Sequence, residues 1–244
     1  MRRTGLAVAV WALLAPAAGA GTPDTSGNGR GAAMGGPEKI IPAAAGFGRW
    51  IEGFRSRALA AGIATATLDR AFDGVGYNTG VIEKDRNQGE FTKAIWDYLD
   101  SAVSDARVAG GRAALAANRA LLDRIETAFG VDKEVVVAVW GLESSYGAQR
   151  GDTPLIEALA TLAYDGRRGR FFEDQLLAAL RFVQAGDVVP ARMTGSWAGA
   201  MGHTQFMPSS YMKYAVDWTG DGHADIWTSS SDAICSRHST THSR

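Results

Sequence analysis

The chain has 244 residues, 46% hydrophobic and 21% charged, which excludes a wholly disordered polypeptide because so apolar a chain can bury a core. Lys and Arg number 25 against 26 Asp and Glu, a formal net charge of -1 that argues against a nucleic-acid partner. One cysteine rules out an intramolecular disulfide or a thiolate cluster, and 30 Gly with 7 Pro in no fixed period exclude collagen-like or Pro-rich chains.

Residues 1–20 read as a cleavable leader. Arg2 and Arg3 are followed by the apolar run Gly5 to Leu14 and by Ala18-Gly19-Ala20, a small-residue cleavage site. The run is shorter than the roughly 20 residues a spanning helix needs. No Cys follows it to accept a lipid. The expectation is a secreted or periplasmic protein without a membrane anchor. Residues 21–37, rich in Gly, Ser, Thr, Asn and Pro, read as a disordered spacer.

From there the chain reads as helix. Trp50 to Ala61 and Thr65 to Phe72 are amphipathic stretches separated by Gly62. Phe91 to Ala106 sets Ile95, Tyr98, Leu99, Ala102 and Val103 at helical spacing. Arg112 to Phe129 repeats the pattern until Gly130 stops it. Asp132 is placed to cap Lys133 to about Ser145. Thr153-Pro154 opens a further helix with Pro in its favoured first position, and Arg170 to Ala185 closes at Gly186. No strand alternation or internal repeat occurs. The predicted class is all-α, one domain over 38–232.

Two segments carry chemistry. Gly195 to Pro208, GSWAGAMGHTQFMP, is the least helical part of the body, and its glycines permit close backbone approach to a ligand. It lacks the G-x-x-x-x-G-K-[ST] pattern of a phosphate loop. Glu143 ends VVVAVWGLE, nine residues with no other polar side chain. One reading has Glu143 emerging into solvent at the helix terminus. The other holds the carboxyl against an apolar wall, where desolvation and the negative end of the helix dipole raise its pKa and suit it to proton donation.

Trp140-Gly141-Leu142-Glu143-Ser144-Ser145-Tyr146-Gly147 resembles the catalytic signature of the lytic murein transglycosylase B family. So do Leu159 to Asp165 with Arg167-Arg168, Gly195 to Gly202, and Gln205-Phe206-Met207-Pro208-Ser209-Ser210. Upstream, Gln88 to Thr92 and Trp96-Asp97-Tyr98-Leu99 are similar as well, so the resemblance spans about 46–233. It implies a lysozyme-like helical domain that cleaves the β-1,4 bond between N-acetylmuramic acid and N-acetylglucosamine without adding water. By position Glu143 is the single acid/base, and Ser196 and Gln205 contact sugar and N-acetyl groups. Tyr98 matches an aromatic site residue. Asp152, Asp165, Glu173 and Asp174 follow Glu143, but no spacing marks one as a nucleophile. Substrate-assisted exceptions to the two-carboxylate rule are known as a class. A non-catalytic peptidoglycan-binding protein and a hydrolase of lysozyme type are the rival readings. The implied partner is a peptidoglycan strand, with no organic cofactor and a monomeric enzyme.

Asp217, Thr219, Asp221 and Asp225 fall at positions 1, 3, 5 and 9 of an EF-hand-like loop, with Gly222 at 6 and the His223 carbonyl at 7. Thr228 stands where a bidentate Glu belongs. A solvated Asp-Gly turn is an equal reading of the spacing alone. The resemblance implies a weak structural Ca2+ site of Asp217, Thr219, Asp221, His223 and Asp232. His203 and His223 lack a His or Glu partner at helical spacing for zinc.

From Ser229 the sequence turns to Ser, Thr and His, and holds Cys235, His238 and His242. It reads as an irregular end rather than a metal tract. Cys235 to Arg244 does not resemble the family, and a truncated or frame-shifted longer gene is the simplest account.

Overall fold

The computed structural model describes residues 40–87 and 95–242. The expected leader (1–20) and spacer (21–37) lie outside the described residues. The chain divides into two units, Met1–Ile40 and Ile41–Arg244. Only Ile40 of the first is described, and the architecture below is that of the second.

Helices run in chain order as α1 (Ile40–Ala60), α2 (Thr65–Ala71), α3 (Thr79–Arg86), α4 (Ile95–Ala102), α5 (Asp105–Ala117), α6 (Arg119–Phe129), α7 (Lys133–Ser144), α8 (Leu155–Asp165), α9 (Gly169–Ala185), α10 (Pro208–Tyr214) and α11 (Ser230–His242). Two residues each of β1 (Thr153–Pro154) and β2 (Thr194–Gly195) pair antiparallel, Thr153 opposite Gly195. The all-α expectation holds, with that small ladder added. No helix among the described residues is long and apolar enough to cross a membrane.

α8 is the centre of the larger core. Leu155, Ile156, Ala158, Leu159, Ala160, Leu162 and Ala163 are all buried, so the helix is apolar nearly all round, as an interior helix must be. α9 packs on it through Phe172, Leu176, Ala179 and Leu180, and α1 brings Phe47, Phe54 and Ala58 to the same core. Polar ties fix α3 to this body. Asn78 Oδ1 caps α3 by accepting from Val81 N at 3.1 Å, while its Nδ2 donates to Glu157 at 2.6 Å. Buried Asp85 accepts from Arg86 and Arg167, each at 2.8 Å. A second core gathers Leu122, Ile125, Val136, Val137, Trp140, Ile234 and Cys235 from α6, α7 and α11.

Several boundaries differ from the sequence reading. The stretch Arg112–Phe129 is not one helix but breaks at Asn118, whose backbone N–H closes α5 and whose Nδ2 donates to Ala114 O at 2.8 Å. The stretch expected from Phe91 is described only from Ile95 and ends at Ala102, with Ser104 starting α5. Pro154 is the N-cap of α8 rather than its first residue, because Thr153–Pro154 is taken by the ladder. Asp132 makes no side-chain cap; Glu126 Oε1 receives the Lys133 amide instead, at 3.3 Å.

The largest difference is the C-terminal segment, expected to be irregular. It forms α11, started by Ser229 Oγ accepting from Asp232 N at 3.1 Å, an N-cap of the usual kind. The tetrapeptide Ala233-Ile234-Cys235-Ser236 is buried: Ala233 joins the larger core, Ile234 and Cys235 the second. A polar composition around three consecutive apolar residues hid a helix that two cores clamp. Burial also pushes the Cys235 thiol up to about 12, since desolvation disfavours the thiolate. Native protein is therefore expected to resist a thiol-specific disulfide reagent at pH 8, and to react with one equivalent only after denaturation. Fast stoichiometric labelling of native protein would show that α11 is not docked.

Candidate functional site

Glu143 is the penultimate residue of α7 and is half-buried. After it the backbone turns left-handed three times in succession: Ser145 has φ 50°, Tyr146 φ 59° and Gly147 φ 87°. Only Gly enters this region without steric cost, so the first two must be held there by their surroundings.

What holds them is specific. Ser144, fully buried, donates from Oγ to His203 O at 2.7 Å and accepts from Gly147 N at 3.1 Å. The Tyr146 ring lies in a slot of three glycines. A Cβ on Gly110, Gly111 or Gly141 would come within 2.9 Å of that side chain. Its hydroxyl donates to Arg107 O at 2.7 Å, which ties α5 to the end of α7. The His203 ring covers Gly147 so closely that a Cβ there would sit 2.2 Å from it.

The Gly-rich segment is brought to this turn. His203 N donates to Ile226 O at 2.9 Å, and Met201 bridges both Gly195 and Phe206, folding the segment back on itself. Gln205, held at φ 49°, donates from Nε2 to Arg150 O at 3.0 Å and to Gly202 O at 2.8 Å. Both amide hydrogens are thus used inside the protein, which fixes the side chain and leaves its Oε1 lone pairs to accept. Ser196 Oγ accepts from Ala200 N at 3.0 Å and keeps a hydrogen to donate. The structure thus joins Gln205 to the turn after Glu143 and sets Ser196 directly after β2. The side chain of Tyr98, on α4, lies outside the described residues.

The acidic loop is organised by its own carboxylates. Asp217 accepts from the amides of Gly222 at 2.8 Å, Gly220 at 2.6 Å and Asp221 at 3.3 Å. Those amide bonds, Gly222 first, hold its carboxyl below the usual range, so it stays anionic. Asp232, completely buried, accepts from Trp218, Thr219 and Asp225 amides at 2.9, 3.0 and 3.2 Å. Asp221 is exposed, as is His223, whose amide donates to Asp221 at 2.9 Å. Among the described residues no three His, Cys, Asp or Glu side chains come together as a metal cage. The oxygen donors of the predicted site share one loop, and Asp232 meets them through backbone amides.

Sequence reasoning assigns no role to Ser144, Tyr146, Arg150 or His203. A Tyr three residues beyond Glu143, with Gly141 two before it, is the available signal. Two cavities lie elsewhere, one of about 320 Å³ between α9 and α10 and one of about 420 Å³ beside Trp218 and Arg124.

Comparison with known proteins gives a consistent answer. The family described as Transglycosylase SLT domain matches residues 46–239, which takes in most of α11. Membrane-bound lytic murein transglycosylase B of Escherichia coli is 42% identical over 107 residues, 43% of this chain and 30% of that protein. SltB3 of Pseudomonas aeruginosa, solved in complex with NAG-anhNAM-pentapeptide, shares 49% identity and a TM-score of 0.77 over 79% of this chain. Slt35 of Escherichia coli, a lytic transglycosylase solved in complex with calcium, shares 31% identity and a TM-score of 0.67 over 84% of this chain. This chain spans 52% and 64% of those two structures. The lysozyme-like helical fold expected from the motifs therefore stands.

Burial, and secondly the nearby Arg150 guanidinium, push His203 down to about 4, with Asp225 opposing. A histidine held neutral in the fold but free to protonate when unfolded costs nothing above pH 6.5 and destabilises the protein increasingly as pH falls from 6.5 towards 4. The expected loss across that window is about 3 kcal/mol. Urea unfolding at pH 7, 5.5 and 4.5 measures it; His203→Gln should flatten the slope, and an unchanged slope in that variant would refute the assignment.

Proposed function

This chain belongs to the transglycosylase SLT domain family, and from that premise we propose that it cleaves the MurNAc-β-1,4-GlcNAc bond of peptidoglycan with Glu143 as sole acid/base. The observation that carries the reading is the pinned turn after Glu143, joined by Ser144, His203 and Gln205 to the Gly-rich segment. A proton donor must be held in one place relative to the bond it cleaves, because misplacement by about 1 Å costs orders of magnitude in rate.

Glu143 protonates the glycosidic oxygen as the bond to C1 breaks. The muramic acid C6 hydroxyl then attacks C1 on the same sugar, and Glu143 takes the hydroxyl proton. The carboxyl ends as it began, no water enters, and the product carries a 1,6-anhydro end. The attacking group is part of the substrate, so its effective concentration exceeds that of water and no second carboxylate is required. Gln205 Oε1, an acceptor by virtue of its two occupied N–H bonds, suits the N–H of an acetamido group, and Ser196 donates to a sugar oxygen. Tyr98 is proposed as an aromatic sugar contact. The complex of SltB3 with NAG-anhNAM-pentapeptide supports the same substrate class. We place the enzyme in the periplasm, as a monomer delivered by the 1–20 leader. Its working domain is 38–232, onto which the buried start of the 233–244 segment is docked.

Glu143→Gln should keep its circular dichroism and melt while losing release of anhydro-muropeptides from purified sacculi by at least about 100-fold, the usual scale of a lost general acid. Mass spectrometry decides the chemistry. Anhydro products one water lighter than reducing ends support the lyase; reducing ends would make it a hydrolase, and tight sacculus binding without products a binding protein.

The acidic loop is proposed as a weak structural calcium site of Asp217, Thr219, Asp221, the His223 carbonyl and Asp232. Its support is the spacing of these oxygens, the retained charge of Asp217, and the calcium complex of Slt35. At 1 mM Ca2+ a site of Kd about 0.1 mM adds about 1.4 kcal/mol, which raises Tm by about 4 °C. Identical melts in 1 mM Ca2+ and in chelator would dismiss the site.

A further inference from the structure

We infer that His203, anchored by Arg150, is a positioning residue that holds the Glu143 turn in register with the Gly-rich segment. The inference rests on Glu143 being the acid/base proposed above.

Three segments meet at this pair. The turn after α7 contributes Ser144, whose Oγ donates to the His203 carbonyl at 2.7 Å, and Gly147, whose α-carbon lies beneath the imidazole. The Gly-rich segment contributes His203 itself and Gln205, whose amide is fastened to the Arg150 carbonyl at 3.0 Å. The end of the acidic loop contributes Ile226 O, which accepts from His203 N, and Trp227 O, which accepts from Arg150 Nη1. Arg150 therefore fastens Gln205 by its backbone and His203 by its guanidinium.

The chemistry of the ring follows from its partner. Arg150 Nη1 lies 3.2 Å from His203 Nε2, and a guanidinium can only donate. Nε2 must then be the unprotonated nitrogen, and the neutral ring carries its hydrogen on Nδ1. Nδ1 has no protein partner among the described residues, so Arg150 is the one hydrogen-bond anchor of the ring there. The charged groups acting on the imidazole are Arg150 from the turn and Asp225 from the acidic loop; α7 offers it Trp140, 5.9 Å between ring centroids and uncharged. A proton on Nε2 would set two cations against each other, break the anchor and free the ring from Gly147. Loss of the ring, by contrast, removes the lid over a turn that two non-glycine residues enter with positive φ. Either change reaches Glu143 through Ser144, one residue away.

The test uses the full chain with His203→Gln, Arg150→Met and a surface control, Arg181→Met. Nitrogen-15 NMR of the parent should show His203 neutral at pH 6 with the hydrogen on Nδ1; an Nε2–H tautomer would overturn the inference. On purified glycan strands Arg150→Met should lower kcat at least tenfold with KM changed less than twofold. His203→Gln, which keeps an acceptor for Arg150 but loses the ring over Gly147, should also lower kcat, by less than Arg150→Met does, and should flatten the acid limb of the pH profile. The Glu143 carboxyl, followed by carbon-13 NMR, should titrate at a shifted midpoint in Arg150→Met and unshifted in the control. Full kcat together with an unmoved Glu143 titration in Arg150→Met would overturn the positioning role even if that variant is less stable. A parent chain that releases no product would sink the proposed function alone, and the two NMR readouts would then decide this inference by themselves.

Discussion

The left-handed exit from α7 is the constraint to which the rest of the site answers. Ser145 and Tyr146 adopt positive φ immediately after Glu143 and Ser144, a conformation that costs a non-glycine residue about 1 kcal/mol or more. The turn ends α7 and lets Thr153 reach β2 within eight residues of Tyr146. Each neighbour then serves to keep the turn closed. Tyr146 is seated in the Gly110, Gly111 and Gly141 slot, Ser144 is tied to His203, and Gly147 is capped by an imidazole.

Around that turn the body is assembled from loops braced by carboxylates and carbonyls rather than from helix packing alone. Asp232 supplies the clearest example. It sits in the first turn of α11, fully buried, and spends both oxygens on amides of the acidic loop. The next three residues insert into both cores. One short helix thereby fixes the loop whose far end, at Ile226 and Trp227, receives His203 and Arg150. A carboxylate that accepts three amide bonds is satisfied without a cation, so calcium would add stability to this loop rather than create its fold.

How much of this is legible in the chain depends on the range of the interaction concerned. Helices marked by length, flanks or spacing are visible: α7 from its length and from Glu134 in its first turn, where the Val run alone also suits a strand, and α9 from its spacing up to Gly186. The Glu143, Ser196 and Gln205 positions are legible as motifs. What escapes is decided by other contacts. Asn118 breaks a periodic stretch because its side chain bonds back to Ala114, a local option that periodicity cannot see. Pro154 looks like a first helical residue, but Thr194, forty residues on, claims it for a ladder. α11 is hidden because Ala233, Ile234 and Cys235 are consecutive: without a period, only the presence of two cores on either side makes them helical and buried. The roles of His203 and Arg150 are equally out of reach, since they are 53 residues apart and meet only after the turn has formed.

The glycines of the site make the same point from the opposite direction. Gly151 meets the Gly195 carbonyl, Gly195 the Ala200 carbonyl and Gly202 the Ile226 carbonyl, each so closely that a Cβ would fall within 2.4 Å of that oxygen. In the sequence Gly195 and Gly202, within the Gly-rich segment, read as room for a ligand. Their α-carbons are instead occupied by the protein's own backbone, so their smallness serves to pack one loop directly on another. The ties around the turn after Glu143 run from Arg107 of α5, under Tyr146, to Asp232 of α11, under the acidic loop. The position of the α7 exit is therefore set by segments that lie within this chain.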